Sequence, residues 1–339
     1  MSGLNWQSVL AALALAFVLT PLVRGYSIRR GLIDRPGHRR SHARPVARGG
    51  GPAIVVSLVA VTLVWLPLGP LVALFLVGAV IISLLGWCDD HRPLPVAWRL
   101  GIQLFAAIVL VVWLGPVESV HAAGVALESV WIWSPLAVIA LVWLMNLFNF
   151  MDGSDGLASA QAVISCALFS VAFAVLDEPV ASGLAGIAAG AAGGFLFWNW
   201  PRASIFLGDS GSLLLGWCVG VLALVGTLSG SISIWLSFVL VSPFAIDATA
   251  TLCWRLARGE RWYTPHTEHA YQYLTRSGWS HRRVLMAWIA LNMVLVVPAM
   301  ALVLWKPQSD LGVAVGLAVI LAGAWYMVHF VVAKERVTT

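Results

Sequence analysis

Residues 69–90 read GPLVALFLVGAVIISLLGWCDD, and this stretch decides the fold. From Pro70 to Trp87 it carries no charge, and it is long enough to cross the roughly 30 Å hydrocarbon layer of a bilayer as a helix. It then stops on two adjacent acids, Asp89 and Asp90. Similar runs recur along the chain. About eleven can be placed, near residues 4–23, 50–67, 69–87, 100–115, 131–148, 158–176, 180–198, 211–228, 232–254, 284–305 and 311–332. The intervals are short and turn-like, as at Leu66-Pro67-Leu68-Gly69-Pro70 and Ser229-Gly230-Ser231. The 339 residues are 60% hydrophobic and only 10% charged, against about 25% charged in a soluble domain. That balance excludes soluble enzymes, disordered regulators and disulfide scaffolds, and predicts an all-α polytopic membrane bundle filling 1–339 as one domain. The 18 Trp and 31 Gly suit interfacial anchors and close helix contacts. Cys88, Cys166, Cys218 and Cys253 form no CxxC pair and read as small packing residues. The first run has no basic stretch before it and no small-residue cleavage site, so it reads as a retained span.

The charges give the expected sidedness. Strict alternation of the runs puts all of the 20 Lys and Arg except Lys306 on one side. Arg24, Arg29, Arg30, Arg35, Arg39, Arg40, Arg44 and Arg48 fall in the first interval alone. The loaded side is therefore expected to be cytoplasmic, with the N-terminus outside and the C-terminus inside. Most of that first-interval charge reads as topology and attraction to anionic lipid.

Asp89, Asp90, Asp152, Asp155 and Asp209 also fall on the basic side, in three intervals. Like charges gathered together raise one another's pKa unless a cation joins them. A hard divalent ion with oxygen ligands, such as Mg2+, is the natural partner. The bland alternative is a set of solvated helix-end acids, and the local sequence argues against it. Asn146-Leu-Phe-Asn149-Phe-Met-Asp152-Gly-Ser-Asp155-Gly gathers amides, acids and glycines at one helix junction. Phe206-Leu-Gly208-Asp209-Ser-Gly211-Ser212 repeats the theme at the next. Glycine turns that open a helix present free N–H groups to phosphate oxygens.

In order along the chain stand Asp34-x-Pro36, His42, Pro45 and Arg48-Gly49-Gly50, then Asp89-Asp90 with Leu94, Arg99 and Gln103. Asn146-x-x-Asn149-x-x-Asp152-Gly-x-Asp155-Gly follows, then Asn199, Pro201 and Phe206-x-Gly208-Asp209-x-Gly211-Ser212. The last is Pro265-His266-Thr-Glu-His269-Ala-Tyr-Gln272, closed by Arg276-x-Gly278. Over nearly its whole length the chain thereby resembles the polyprenyl-phosphate N-acetylhexosamine-1-phosphate transferases, which include the phospho-MurNAc-pentapeptide translocases. It departs from them at the last loop, where Tyr271 and Gln272 stand in place of further histidines. The His-x-x-His-Ala-Tyr-Gln form resembles a subgroup initiating bacterial O-antigen or other surface polysaccharides. Within that subgroup the sugar stays open among GlcNAc, FucNAc and QuiNAc.

The resemblance implies a reaction. A lipid phosphate, undecaprenyl phosphate in a bacterium, attacks the β-phosphorus of a UDP-HexNAc and releases UMP, with Mg2+, or alternatively Mn2+, as cofactor. It implies a bacterial inner-membrane enzyme with its site on the cytoplasmic face, in contact with membrane lipids, without nucleic acid, as a homodimer. It implies Asp209 first and Asp152 second as metal ligands, with Asp89 and Asp90 orienting or deprotonating the lipid phosphate. Asn146, Asn149, Asp155 and Asn199 are then candidates for nucleotide and metal surroundings, His266 and His269 for phosphate or sugar, and Arg48, Arg99 and His42 for phosphate. His38, His91, His121, His281 and His329 read as interfacial or packing residues. Asp247, the one acid well inside a run, reads equally as functional or as a helix-end contact. A transporter would place ionisable groups or broken helices near mid-membrane, whereas these acids gather at one face. A CDP-alcohol phosphotransferase motif would need Ala-Arg after the Asp-Gly, and Ala158 is followed by Ser159.

Overall fold

The computed structural model describes residues 5–35, 44–122, 124–261 and 266–332. Its helices follow the apolar runs. They are α1 (Trp6–Arg29), α2 (Gly51–Trp65), α3 (Pro70–His91), α4 (Val96–Leu114), α5 (Val130–Phe150), α6 (Leu157–Val175), α7 (Pro179–Asn199), α8 (Gly208–Ser229) and α9 (Ile234–Ala257). A short α10 (Ala270–Arg276) precedes α11 (His281–Leu291) and α12 (Val297–Trp305), which are joined by a π-turn, and α13 (Asp310–Met327) closes the bundle. Among the described residues, 10 helical rods are long and apolar enough to cross a membrane. The apolar α2, at 15 residues, reaches only about 22 Å. Together these are the eleven runs of the sequence.

Burial sorts the helices into an inner and an outer set. The apolar windows of α8 and α7 are 83% and 78% buried, whereas those of α5 and of the last rod are each 17% buried. Lipid is as apolar as leucine, so the helices are held by close packing and by hydrogen bonds. Gly186, Gly190 and Gly194 recur every fourth residue along α7. A Cβ at Gly190 would lie 2.3 Å from the Val9 carbonyl oxygen, and one at Gly194 2.2 Å from that of Leu13. Backbone therefore touches backbone where α7 meets α1. Buried donors tie other pairs. Trp217 Nε1–H donates to the Phe75 carbonyl at 3.1 Å and Ser57 Oγ–H to that of Ala12 at 2.6 Å. Trp288 Nε1–H donates to Gln161 Oε1 at 2.8 Å. At the π-turn, the Asn292 amide donates to the Trp288 carbonyl at 2.9 Å and to Gln161 Oε1 at 3.0 Å, tying α11 to α6.

Strands form at both ends of the bundle, where the sequence suggested only turns. At one end β1 (Ile33–Asp34) runs antiparallel to β2 (Val46–Arg48), which pairs in parallel with β5 (Ile205–Phe206). At the other end β3 (Ser119–Ala122) and β4 (Val125–Glu128) form a hairpin. Trp235 Nε1–H pins that hairpin at the His121 carbonyl, 2.7 Å away. The three-stranded sheet stitches the α1–α2 interval to the α7–α8 interval, so the acid-bearing loops meet at one end.

Candidate active site

The site is built around the start of α8. Leu207 precedes this helix and has no side chain able to cap it. Asp90, at the end of α3, supplies the cap instead: its Oδ1 accepts the Asp209 N–H at 3.0 Å and its Oδ2 the Ser210 N–H at 3.1 Å. A carboxylate suits the positive end of a helix dipole. The fit needs glycine twice. Gly208 has φ +72, and a Cβ there would lie 2.6 Å from Asp90 Oδ2. A Cβ on Gly86 of α3 would lie 2.3 Å from both the carbonyl carbon and the oxygen of Asp209. The Gly50 N–H donates to the Leu207 carbonyl at 2.8 Å, locking α2 to the same turn.

Two arginines cross this turn. Arg48 donates from Nε to Asp90 Oδ1 at 2.8 Å and from Nη2 to Asp209 Oδ1 at 3.1 Å. Arg99 reaches Asp89 Oδ2 from Nη1 at 3.0 Å and Asp209 Oδ2 from Nη2 at 3.3 Å. The other Asp89 oxygen accepts the Leu94 N–H at 2.6 Å. The Asn149 amide donates to Asp209 Oδ1 at 3.1 Å and to Ser212 Oγ at 3.0 Å. Exposure separates the three acids: the side chains of Asp90, Asp89 and Asp209 are 1%, 7% and 15% exposed. Asp209 is thus the one most open to a ligand.

Asp152 lies in the α5–α6 turn beside this group; its N–H donates to the Asn149 carbonyl at 3.4 Å, and among the described residues its carboxylate has no hydrogen-bond or ion-pair partner. Burial first, and then the charge of Asp209, push its carboxyl well above the usual range, while Arg48 pulls the other way. A part-buried acid without a partner, next to the most open acid, fits a hard cation. No group of three or more His, Cys, Asp or Glu among the described residues is arranged to hold a metal ion alone. Two carboxylates with open positions beside them could hold a hard cation such as Mg2+ that takes its other ligands from outside the protein.

The remaining candidates divide by what they touch. Asn199 is buried, and its Oδ1 accepts the Gly156 N–H at 3.1 Å and the Ser159 hydroxyl at 2.9 Å. Its amide donates to the Ile205 carbonyl at 3.0 Å. Asp155 Oδ2 accepts the Ala203 N–H at 3.1 Å. Both therefore sew the Asp152 turn to the α7–α8 loop. Asn146 turns toward α4, donating to Gln103 Oε1 at 2.6 Å and to the Val142 carbonyl at 2.8 Å. His42 lies outside the described residues.

His266 and His269 sit in the α9–α10 loop with ring centres 4.8 Å apart. Burial first, then His269 and Arg255, bring the His266 imidazole down to about 4, so it is neutral at neutral pH. His269 stacks on Tyr271 at 5.9 Å, and the Tyr271 hydroxyl donates to the Phe150 carbonyl at 3.2 Å, two residues before Asp152. The histidine loop thus buttresses the Asp152 turn. Asp247 is buried in α9, and its Oδ1 accepts the Ala270 N–H at 2.9 Å, capping α10 from below. Arg255 bridges Glu260 at 2.8 Å and also Glu268, while Arg258 bridges the same two acids at 2.8 and 3.3 Å.

Sequence reasoning passed over several of these groups. His329, in the helical turn Val328–Val332 after α13, lies between the Glu268 carbonyl at 2.7 Å and the Trp325 carbonyl at 2.9 Å, clasping the chain's last turn to the loop. His281 Nδ1 lies 2.8 Å from Ser154 Oγ and 3.4 Å from the Asp155 nitrogen. Both were read as interfacial or packing residues, and both serve as hydrogen-bonded struts of the loops that frame the site. The signal available was their position at helix ends next to the motif loops. The Glu260 and Glu268 clamp carried no signal beyond ordinary loop charge.

Comparison with known proteins places the chain among relatives. The family model described as Glycosyl transferase family 4 matches residues 72–227, from α3 through α8. The chain is 29% identical over 298 residues to a probable undecaprenyl-phosphate N-acetylglucosaminyl 1-phosphate transferase of Bacillus subtilis, covering 86% of this chain and 83% of that one. It is 30% identical over 358 residues to a decaprenyl-phosphate N-acetylglucosaminephosphotransferase of Mycolicibacterium smegmatis, covering 92% and 86%. It is 30% identical over 312 residues to a phospho-N-acetylmuramoyl-pentapeptide-transferase of Moorella thermoacetica, covering 87% and 96%.

Proposed function

Because the chain belongs to glycosyl transferase family 4, we propose that it transfers a HexNAc-1-phosphate from a UDP-HexNAc to a polyprenyl phosphate, releasing UMP. The single observation that carries this reading is the pairing of the open Asp209, gripped by Arg48 and Arg99, with the partnerless Asp152 carboxylate beside it. Both reactants are anions, so the site must neutralise charge and align an in-line displacement. Asp209 and Asp152 would hold Mg2+, or Mn2+ in its place. When bound, the ion supplies Lewis-acid neutralisation of the diphosphate and of the departing UMP.

The chain's own groups do the rest. Arg48 and Arg99 present forked N–H pairs suited to phosphate oxygens. Asp89 stands on the Arg99 fork and orients the lipid phosphate through it, which as a dianion is already a competent nucleophile. Asp90 acts by positioning, since the start of α8 and Arg48 take both its oxygens. Asn149 helps to hold the Asp209 carboxylate in place. Asp155 and Asn199 keep the Asp152 turn in register with the α7–α8 loop. His266, as a neutral imidazole, offers a hydrogen bond to phosphate or sugar, with His269 behind it. The weight of arginine on the site's side of the membrane supports a cytoplasmic site in a bacterial inner membrane. The His266-x-x-His269-Ala-Tyr-Gln272 form supports initiation of O-antigen or another surface polysaccharide on undecaprenyl phosphate.

The test is a purified-protein assay in detergent with undecaprenyl phosphate, Mg2+ and a panel of UDP-GlcNAc, UDP-FucNAc and UDP-QuiNAc, following UMP. Release with one donor is expected, abolished by EDTA and by Asp209→Ala. Movement of lipid-linked sugar across liposomes without UMP would replace the transferase with a transporter.

A further inference from the structure

We infer that Arg48 and Arg99 are exchange groups that occupy the cation's side of Asp209 and leave it for a diphosphate, so that metal ion and diphosphate enter as a coupled pair. This rests on the reading of Asp209 and Asp152 as metal ligands. Asp209 Oδ1 has Arg48 Nη2 at 3.1 Å, and Asp209 Oδ2 has Arg99 Nη2 at 3.3 Å. A divalent ion bonded to either oxygen at about 2.1 Å would face a guanidinium on the same carboxylate, cation against cation. The two cations would compete for Asp209.

Both arginines are built to yield without leaving. Each has a second acid as a pivot, Asp90 at 2.8 Å for Arg48 Nε and Asp89 at 3.0 Å for Arg99 Nη1. Their side chains are 36% and 23% exposed, so the arm of each fork that holds Asp209 has room to swing. A diphosphate offers that arm an acceptor of matching geometry. The protein alone has no group of three or more acids or imidazoles arranged for a metal among the described residues, which leaves positions in the ion's shell for water or phosphate oxygens. Each ligand therefore removes an obstacle to the other, and the coupling is reciprocal.

The probe is Mn2+, followed by the loss of its free-ion electron-spin signal on the detergent-purified protein, with and without UDP. Mn2+–UDP chelation is measured separately without protein. In the wild type, saturating UDP is expected to tighten Mn2+ binding by about tenfold or more beyond chelation. Arg48→Gln and Arg99→Gln are each expected to tighten binding of Mn2+ alone by about tenfold and to shrink the gain from UDP. Equal Mn2+ affinity in the wild type with and without UDP overturns the exchange, and this comparison needs no variant to fold. No Mn2+ binding under either condition, or Asp152→Asn and Asp209→Asn binding like the wild type, overturns the metal reading itself and the exchange with it.

Discussion

Gly86→Ala is the sharpest perturbation the site offers. Its added methyl would sit 2.3 Å from the Asp209 carbonyl carbon and oxygen and 2.4 Å from the Ser210 nitrogen, where ordinary contact begins at 3.4 Å. These are backbone atoms of a helix start, so no flexible side chain can move aside. The start of α8 and the end of α3 must separate by about 1 Å, at an overpacking cost of about 1–3 kcal/mol. The Asp90 hydrogen bonds to the Asp209 and Ser210 N–H groups, now 3.0 and 3.1 Å, would stretch past useful length. The Asp209 carboxylate would move with its backbone, and a misplacement of about 1 Å costs on the order of 100-fold in rate. The assay is UMP release under saturating substrates, with thermal unfolding in detergent alongside. Gly101→Ala on α4 is the control, since nothing lies within 4 Å of its added methyl. A Gly86→Ala enzyme with wild-type kcat and Tm would refute the reasoning that this close approach sets Asp209.

Three further outcomes test the site from other sides. Asp152→Asn should cut UMP release by about 100- to 1,000-fold, yet raise Tm in EDTA. The native Asp152 carboxyl holds its proton more tightly than in the unfolded chain, so wild-type stability falls as pH rises through the raised pKa, and the variant should lose that slope. For His266 the sign reverses. Its folded value is about 4 against an ordinary 6.5, so stability falls as pH drops from about 6.5 toward about 4. His266→Gln should flatten that decline and leave the shape of the activity profile between about pH 6 and 8 unchanged; a profile whose acidic limb moved in this range would assign the titration to His266 after all. Asp247→Ala removes the acceptor of the Ala270 N–H and should lower stability by about 1–3 kcal/mol. It should also speed tryptic cleavage at Arg258 and Arg261, and unchanged protection would show that α10 is held without its cap.

The bundle was legible because lipid imposes one rule on every span, and residues 69–90 obey it in plain view. The short α2 was found for the same reason, although its helix ends before Pro67. The strands were not legible, since two or three residues carry no alternation to read, and β1, β2 and β5 exist only because distant intervals meet. The acids Asp89, Asp90, Asp152 and Asp209 stood out through their scarcity in an apolar chain. What each one touches could not be read. That Asp90 caps a helix beginning 118 residues later depends on α3 and α8 lying side by side. Asn199 and Asp155 looked like ligand groups because an exposed amide and a buried stitch are the same letters. His329 and His281 were passed over because single histidines at helix ends are usually bland.

The parallel pairing of β2 with β5, and the bonds from Arg48 and Asp90 to the start of α8, join segments well over a hundred residues apart in sequence. During synthesis the first three helices therefore emerge before the partner that Asp90 and Arg48 share. Their remaining partner is not made until the ribosome has passed residue 209. A chain stopped before α8 lacks the groups that Gly78 and Gly86 of α3 pack against, Trp217 and the Asp209–Ser210 backbone. Insertion of the eighth helix is then the event that brings Asp209 to Asp90 and Arg48, and the loop carrying His266 and His269 follows it.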